Sequence, residues 1–404
     1  MSKKKILIIP TYFPTTGSPL SGTQVLEQSE LIQADYEVKV LFCIRQDITR
    51  KRYYFNKLKN HLRLKQYISC SDQILSGALE SRGFYYNCVI GNSDEKNFSF
   101  CIHAYKTLLE NLITENWKPD LIHARTAEHA GLIACQLSEH FSIPFIITEN
   151  CALLFDQTFS VFKFKSYFQA IEKASKVAFV SNYLMKLVLM HGVKCNTHII
   201  GNLIDEGRFT IKNEVEEATG KFKILIIGYN AYIKDFLTFF KALQYIVEQG
   251  HQDIAVDIIV TFYWSEENKN ELMKLAEEHN VLQYCNFSYQ VPRNEISRFF
   301  QQTGVFVSTS ITETFGIACC EAMLCGKPVV ATANGGIDDF ISPENGIKVQ
   351  LKDFKAIGDN IIKIKTKELI FDPEKVRNSI VKKYGREAFT TNLKSLYDNV
   401  LSNN

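Results

Sequence analysis

The chain has 404 residues, with 46 basic and 44 acidic side chains and a formal net charge of +2, so no global field marks it as a nucleic-acid binder. Hydrophobic residues make up 46%, enough to fill the cores of about two or three domains. No uninterrupted apolar run reaches the ~18 residues that a membrane-spanning helix needs. Eleven cysteines, an odd number, sit mostly inside apolar segments such as LFCI and LIACQL, with no CxxC pair and no His/Cys metal spacing. That usage predicts reduced thiols acting as small hydrophobes in a cytoplasmic protein.

The N-terminal MSKKKILIIP has a basic start and a short apolar run that Pro10 ends without a signal-peptide cleavage pattern, so it reads as a first strand. The next loop, TYFPTTGSPLSGTQ, contains Gly17 and Gly22, whose backbone freedom can let amides approach a phosphate. Further strands of the first half read EVKVLFCI, DLIHAR, FIITEN, KVAFVS and THIIG, with helical stretches between them, as at 104–116 and 130–140. The segment RQDITRKRYYFNKLKNHLRLKQ, opening on Arg45 and closing on Gln66, is strongly basic and carries Tyr54, Leu58 and Leu62 at helical spacing. It could rest on an anionic membrane surface, bind a lipid-diphosphate acceptor, or be a solvated helix with a few apolar anchors. Residues 205–221, DEGRFTIKNEVEEATGK, are polar, lack a strand pattern and read as a linker. Strands of the second half read FKILIIGY, IAVDIIVTFY, CNFSYQV, VFVSTS, KPVVATA and GIKVQ. Apolar strands alternating with helices predict parallel sheets covered on both faces. From Arg386 to the C-terminus a last helix places Phe389, Leu393, Leu396, Tyr397 and Val400 on one face.

The densest chemistry lies in VFVSTSITETFGIACCEAMLCGKPVVATANGGI, 305–337. It reads as strand, polar loop, helix opened by Gly316 and closed by Gly326, a second strand and a glycine loop: a parallel βαβ unit. Such units bind ligands at the C-terminal ends of their strands. Glu313 precedes the helix, and Glu321 is the single charge on an otherwise apolar helix. Backbone N–H groups around Phe315, Gly316 and Ile317 would face outward at a helix N-terminus, where anions are stabilised. Donors for a diphosphate and acceptors for hydroxyls are what a nucleotide sugar needs. The alternative is that Glu321 points to water and Glu313 only complements the helix dipole.

Glu313, seven residues, then Glu321, followed by Gly335-Gly336, resembles the signature of the retaining glycosyltransferases of family 4. The resemblance is specific in this segment and weaker over nearly the whole chain. It implies an α/β protein of the GT-B fold, two Rossmann-like domains facing a cleft: 1–204 for the acceptor, 222–385 for the nucleotide sugar, and 386–404 crossing back onto the first domain. It implies donor phosphate contact at Gly22, although Ser21 stands where the family usually has a second glycine. His123, at the end of the strand PDLIHAR, matches a family histidine that could touch donor sugar or acceptor. Arg125 stands where a second histidine is common, and Asn150 where another often is, so Arg125, Glu149 and Asn150 are expected to shape an acceptor pocket, or to cap a strand. In IGYNAYIKD, Lys234 fits the lysine that neutralises the diphosphate. Tyr229 replaces the expected arginine, and Asp235 replaces the expected glycine and adds an anion nearby. Gln290 and Val291 fall where the family cradles the nucleobase.

The expected activity is transfer of a sugar from a nucleotide-diphosphate sugar to a saccharide or lipid-linked saccharide, with retention, in cell-surface polysaccharide synthesis. Glu313, His123 and Lys234 are the expected catalytic residues; Gly22, Glu321, Phe315, Gly316, Ile317, Gln290 and Val291 the donor contacts. No metal or cofactor is expected, since no acidic metal motif is present. Two rivals share the architecture: a sugar-nucleotide 2-epimerase, which would need further acid/base groups, and a non-catalytic nucleotide-sugar-binding homologue, suggested by Tyr229 and Asp235.

Overall fold

The computed structural model describes residues 3–402 apart from 16, 19–20, 56–69, 73–78, 152–159, 213–219, 230, 261–265 and 290. The chain divides into two units: unit 1 is Met1–Val180, Met185–Ile200 and Thr390–Asn404, and unit 2 is Ser181–Leu184 and Gly201–Phe389.

Unit 1 is built on strands β1 (Lys5–Pro10), β2 (Glu37–Ile48), β3 (Cys70–Asp72), β4 (Glu80–Val89), β5 (Leu121–Arg125), β6 (Phe145–Glu149), β7 (Lys176–Phe179) and β8 (Thr197–Ile199). They lie in the order β3-β4-β2-β1-β5-β6-β7-β8, all neighbours parallel except β3 on β4. The central strands are buried on both faces, which is why β1 reads as a continuous apolar run and why β5 and β6 bury even their polar residues. β4 has no counterpart among the strands expected from the sequence. Its Gly83 sits opposite Phe42 of β2, and a Cβ there would lie 2.4 Å from the Phe42 ring, so the aromatic ring occupies the space a strand side chain would take.

The helix expected at 104–116 begins earlier, as Asp94–Thr114, because Ser93 caps it by accepting from the Lys96 N–H. Cys101, Ala104, Tyr105, Leu108, Leu109 and Leu112 form its buried stripe. The stretch expected as helix 130–140 is a π-turn, Ala127–Gly131, running into the helix Leu132–Phe141. The last helix is Arg386–Leu401, with Phe389, Leu393, Leu396, Tyr397 and Val400 all buried, and from Thr390 onward it belongs to unit 1. There the Tyr397 hydroxyl meets His123 Nδ1 at 2.7 Å and Tyr36 donates to Asp398 at 3.2 Å. Tyr397→Phe leaves a fully buried imidazole nitrogen without its partner, so a loss of ~1–3 kcal/mol is expected in urea unfolding. An unchanged midpoint would show that this hydrogen bond contributes nothing.

Unit 2 carries β9 (Phe222–Gly228), β10 (Ile254–Val260), β11 (Cys285–Tyr289), β12 (Val305–Ser308), β13 (Val329–Thr332) and β14 (Gly346–Val349), all parallel, in the order β11-β10-β9-β12-β13-β14. The helix Phe236–Glu248 buries Phe236, Phe239, Phe240, Leu243 and Ile246 against Ile224, Ile226 and Val256 of the sheet. That spacing of i, i+3, i+4, i+7 and i+10 is one continuous apolar stripe. The first part of the expected linker packs into this unit over residues 205–212. Phe209 is buried beside Phe300, and Arg377 donates to the carbonyls of Glu206, Phe209 and Leu324. One apolar residue and one cation that satisfies three carbonyls are enough to fix a segment whose composition reads as solvated.

Among the described residues no helix is long and apolar enough to cross a membrane. Of the basic segment, residues 50–55 are helical with Tyr54 and Phe55 exposed, while 56–66, including Leu58 and Leu62, lie outside the described residues.

Candidate active site

In unit 2 the strand order reverses between β9 and β12, and ligands of open parallel sheets bind where it does, beyond the strand C-termini. The loops leaving those two strands carry Lys234 and Glu313. Lys234 Nζ donates to Glu313 Oε1 at 2.5 Å, and Ser310 Oγ donates to the same oxygen at 2.9 Å. The two charged side chains are about four-fifths buried, 19% and 22% exposed. This pair is therefore shielded more than a surface ion pair and positioned from both sides.

Several hydrogen bonds tie the two loops together. Ile311 N–H donates to the Ile233 carbonyl at 2.8 Å and Thr309 Oγ1 to the Lys234 carbonyl at 2.9 Å. Thr332, ending β13, donates to the Ser310 carbonyl at 2.6 Å. The Glu313 backbone N–H donates to the Asn334 carbonyl at 3.3 Å, and Glu313 bridges to Gly335. Gly335-Gly336 make this approach possible. A Cβ on Gly336 would stand 2.4 Å from the Glu313 carbonyl oxygen and 2.7 Å from the Phe315 nitrogen, closer than backbone can yield.

Gly316, at φ 96°, then turns the chain into the helix Ile317–Leu324. The first N–H groups of a helix have no partner within it, so Ile317 and its neighbours present donors at this loop. The Phe315 ring is buried between Phe340 and Tyr384, so any ligand contact it makes is through its backbone. Glu321 is half-buried in the second turn, among buried Cys319, Cys320, Ala322, Met323 and Leu324.

The two departures from the family pattern have separate explanations. Tyr229 places its ring centroid 5.8 Å from Lys234 Nζ, so a π face stands beside the lysine where a second cation was expected. Asp235 adopts φ 45° and ψ 54°, a left-handed conformation that favours glycine and that aspartate tolerates. Its carboxylate accepts from Thr238 N–H at 3.2 Å and Thr238 Oγ1 at 2.6 Å. It caps its own helix, so the carboxylate that stands where glycine was expected is engaged by Thr238. Val291 is half-buried just beyond β11, and Gln290 lies outside the described residues. Asn334 was missed in the sequence: its carboxamide is buried beside the Glu313 loop, with neither polar atom hydrogen-bonded among the described residues.

In unit 1 the expected residues lie on or just past β5 and β6 but turn inward, and His123, expected at a strand end, is the middle residue of β5. His123 is 1% exposed, with Nδ1 on Tyr397 and Nε2 on Thr148 Oγ1, both at 2.7 Å. Burial, and then the neighbouring Arg125 charge, hold its pKa well below the ordinary value. A neutral imidazole with both nitrogens engaged has none left for a sugar hydroxyl; here it pins the last helix to the sheet. Arg125 is buried, with its Nε unpartnered among the described residues, and burial pushes its pKa down to about 10. Glu149 accepts from the backbone N–H groups of Ala127 and Cys151 at 2.6 and 2.7 Å, a brace for the loops on either side. Asn150 is half-buried just past the strand. Gly22, at φ 67°, precedes the helix Thr23–Leu31, and a Cβ there would stand 2.2 Å from the Tyr12 carbonyl oxygen.

Burial lifts the Glu149 carboxyl from 4.5 to about 7, against the backbone hydrogen bonds from Cys151, Ala127 and Asn150 that lower it. The folded chain then holds this proton longer than the unfolded one, so the group's contribution to stability declines as pH rises from about 4.5 to about 7 and levels off above. The stability margin of the parent over Glu149→Gln should shrink across that window, read as the difference in melting temperature at each pH. A margin that grows with pH would mean the carboxylate, not the acid, is favoured.

Two Rossmann-like parallel sheets, the second with charged loops at its reversal point, define an α/β protein of the GT-B class. Residues 207–387 match the family model of group 1 glycosyl transferases and residues 30–208 that of glycosyltransferase family 4. The chain belongs to the group 1 glycosyltransferases of family 4. Among relatives, an uncharacterized glycosyltransferase of Methanocaldococcus jannaschii is 26% identical over 298 residues, 69% of this chain and 76% of its own length. Sucrose-phosphate synthase of Thermosynechococcus elongatus superposes with a TM-score of 0.75 at 16% identity, covering 100% of both chains. Anabaena HepE in complex with UDP gives a TM-score of 0.73 at 16% identity, over 98% of this chain and 100% of its own, and it has also been solved with UDP-glucose.

Proposed function

We propose that the protein takes a nucleotide-diphosphate sugar at the β9/β12 reversal point and passes the sugar, with retention of configuration, to a hydroxyl of a saccharide or lipid-linked saccharide in polysaccharide synthesis. The observation that carries this reading is the largely buried Lys234–Glu313 pair beside the Gly316 helix start. Lys234 and the first helix amides meet the negative charge that grows on the leaving diphosphate. Glu313 holds hydroxyls of the donor sugar and stabilises the oxocarbenium-like transition state, and Glu321 takes the ribose. Front-face attack, with the leaving phosphate accepting the acceptor's proton, asks for no protein nucleophile. His123 has no part in this chemistry, because its nitrogens are already bonded; of the expected acceptor residues, Arg125 is the one that brings a positive charge.

The experiment is a thermal-shift screen over nucleoside diphosphates and their sugars. UDP is the first probe, because HepE of Anabaena binds it. At a hundredfold excess over its Kd a ligand of the native state adds ~2.7 kcal/mol of apparent stability. One base should raise the melting temperature, with its sugar diphosphate doing so at least as well. No shift with any nucleoside diphosphate would defeat the donor assignment.

A further inference from the structure

Outside the region just described, unit 1 gathers three soft ligand atoms that lie far apart in sequence. Cys43 comes from β2, Cys101 from the helix Asp94–Thr114 and His129 from the π-turn Ala127–Gly131. His129 Nε2 is 3.3 Å from Cys43 Sγ and 3.7 Å from Cys101 Sγ, and the two sulfurs are 3.6 Å apart. A tetrahedral zinc with Zn–S near ~2.3 Å and Zn–N near ~2.05 Å has S···S edges of ~3.8 Å and S···N edges of ~3.6 Å. The three observed edges lie within about 0.3 Å of those figures.

The backbone around the cluster is unusual in ways a plain apolar core does not require. Thr126, a β-branched residue, sits at φ 86° and ψ 151°, held by its N–H to the Thr148 carbonyl at 2.9 Å and by its hydroxyl to Thr11 at 2.6 Å. The π-turn that follows sets His129, and single π-turns recur at functional sites. The Tyr105 hydroxyl lies beside both thiols, wholly buried, and has no hydrogen-bond partner of normal geometry among the described residues. A phenol in that position suits a metal-bound thiolate, which accepts hydrogen bonds well. His129 also lines a pocket of about 80 Å³ together with Arg45, Tyr86 and Glu128, so the imidazole end of the cluster borders an opening.

We propose that Cys43, Cys101 and His129 form a binding site for a thiophilic divalent cation, zinc being the best match, with a fourth position left to water or a ligand. Two thiolates and an imidazole are a borderline-soft set that favours zinc over magnesium or calcium. Binding releases the two thiol protons and breaks no other bond. Nothing in the sequence spacing signals the site, since its members are 58 and 28 residues apart.

The test uses the full chain, stripped with a chelator under reducing conditions and titrated with cobalt(II) and then zinc(II). About one equivalent of cobalt should bind with an intense near-ultraviolet thiolate-to-metal band, and zinc should displace it. Cys43→Ser and Cys101→Ser should each weaken zinc by at least ~100-fold, whereas Cys88→Ser, at a sulfur that accepts from Asn97 Nδ2, should not. Should the serine variants fail to fold, alkylation of the parent decides: zinc should protect the partly exposed Cys43 but not the partly exposed Cys195, read by peptide mass. Absence of the cobalt band, a band that survives in a folded Cys43→Ser chain, alkylation indifferent to zinc, or a Cys43–Cys101 disulfide forming in place of metal uptake would each overturn the site.

Discussion

Glu313→Gln should lower turnover by at least ~10-fold while the fold survives. The substitution keeps size and shape, and its amide oxygen can still accept from Ser310, which lies 2.9 Å away. It loses the charge that faces Lys234 and that would face a developing oxocarbenium ion. Hydrogen bonds to a charged group are worth ~1.5–3 kcal/mol, and ~1.4 kcal/mol is a factor of ten in rate. The loss should fall on kcat. Lys234 loses its carboxylate partner and becomes more available to a diphosphate, so KM for the donor should stay level or drop. A parallel rise in KM with kcat unchanged would instead make Glu313 a uniform binding contact. Full activity in both parameters would remove it from the mechanism.

How much of this could be read from the sequence follows from which interactions are local. β9 through β14 are short apolar runs bounded by turn residues, and each falls inside a segment expected as a strand. The Glu313–Gly316–Glu321 arrangement was legible because strand, loop and helix are contiguous. β4 was not, because Gly83 makes sense only against Phe42, a residue of another strand. His123 shows the opposite error. A histidine at a strand end is a reasonable catalytic candidate until Tyr397, 274 residues away, occupies one nitrogen and Thr148 the other. The structural part of Asp235 was hidden for a local reason: the residue type suggests a charge, and only its φ of 45° and its bonds to Thr238 show that it also caps a helix. Cys43, Cys101 and His129 are wholly non-local, so their meeting is visible only in three dimensions.

Gly336→Ala should damage both stability and activity, and it separates the scaffold of the site from its chemistry. The new methyl would overlap the Glu313 carbonyl oxygen, carbonyl carbon and the Phe315 nitrogen, at 2.4, 2.8 and 2.7 Å. All three are backbone atoms of the loop that carries Glu313, so no side chain can swing aside. Relief requires the loop to retreat from the glycine turn, straining its hydrogen bonds to Asn334 and to the Ile233–Lys234 segment. Overpacking of this kind costs ~1–3 kcal/mol. Displacing a catalytic group by ~1 Å can cost ~100-fold in rate. The expected result is a lower melting temperature together with a rate loss larger than that of Glu313→Gln, and the same ordering should hold at saturating donor. A Gly336→Ala chain with parental melting temperature and turnover would mean that the loop has slack, and the claim that these glycines fix the Glu313 geometry would fall with it.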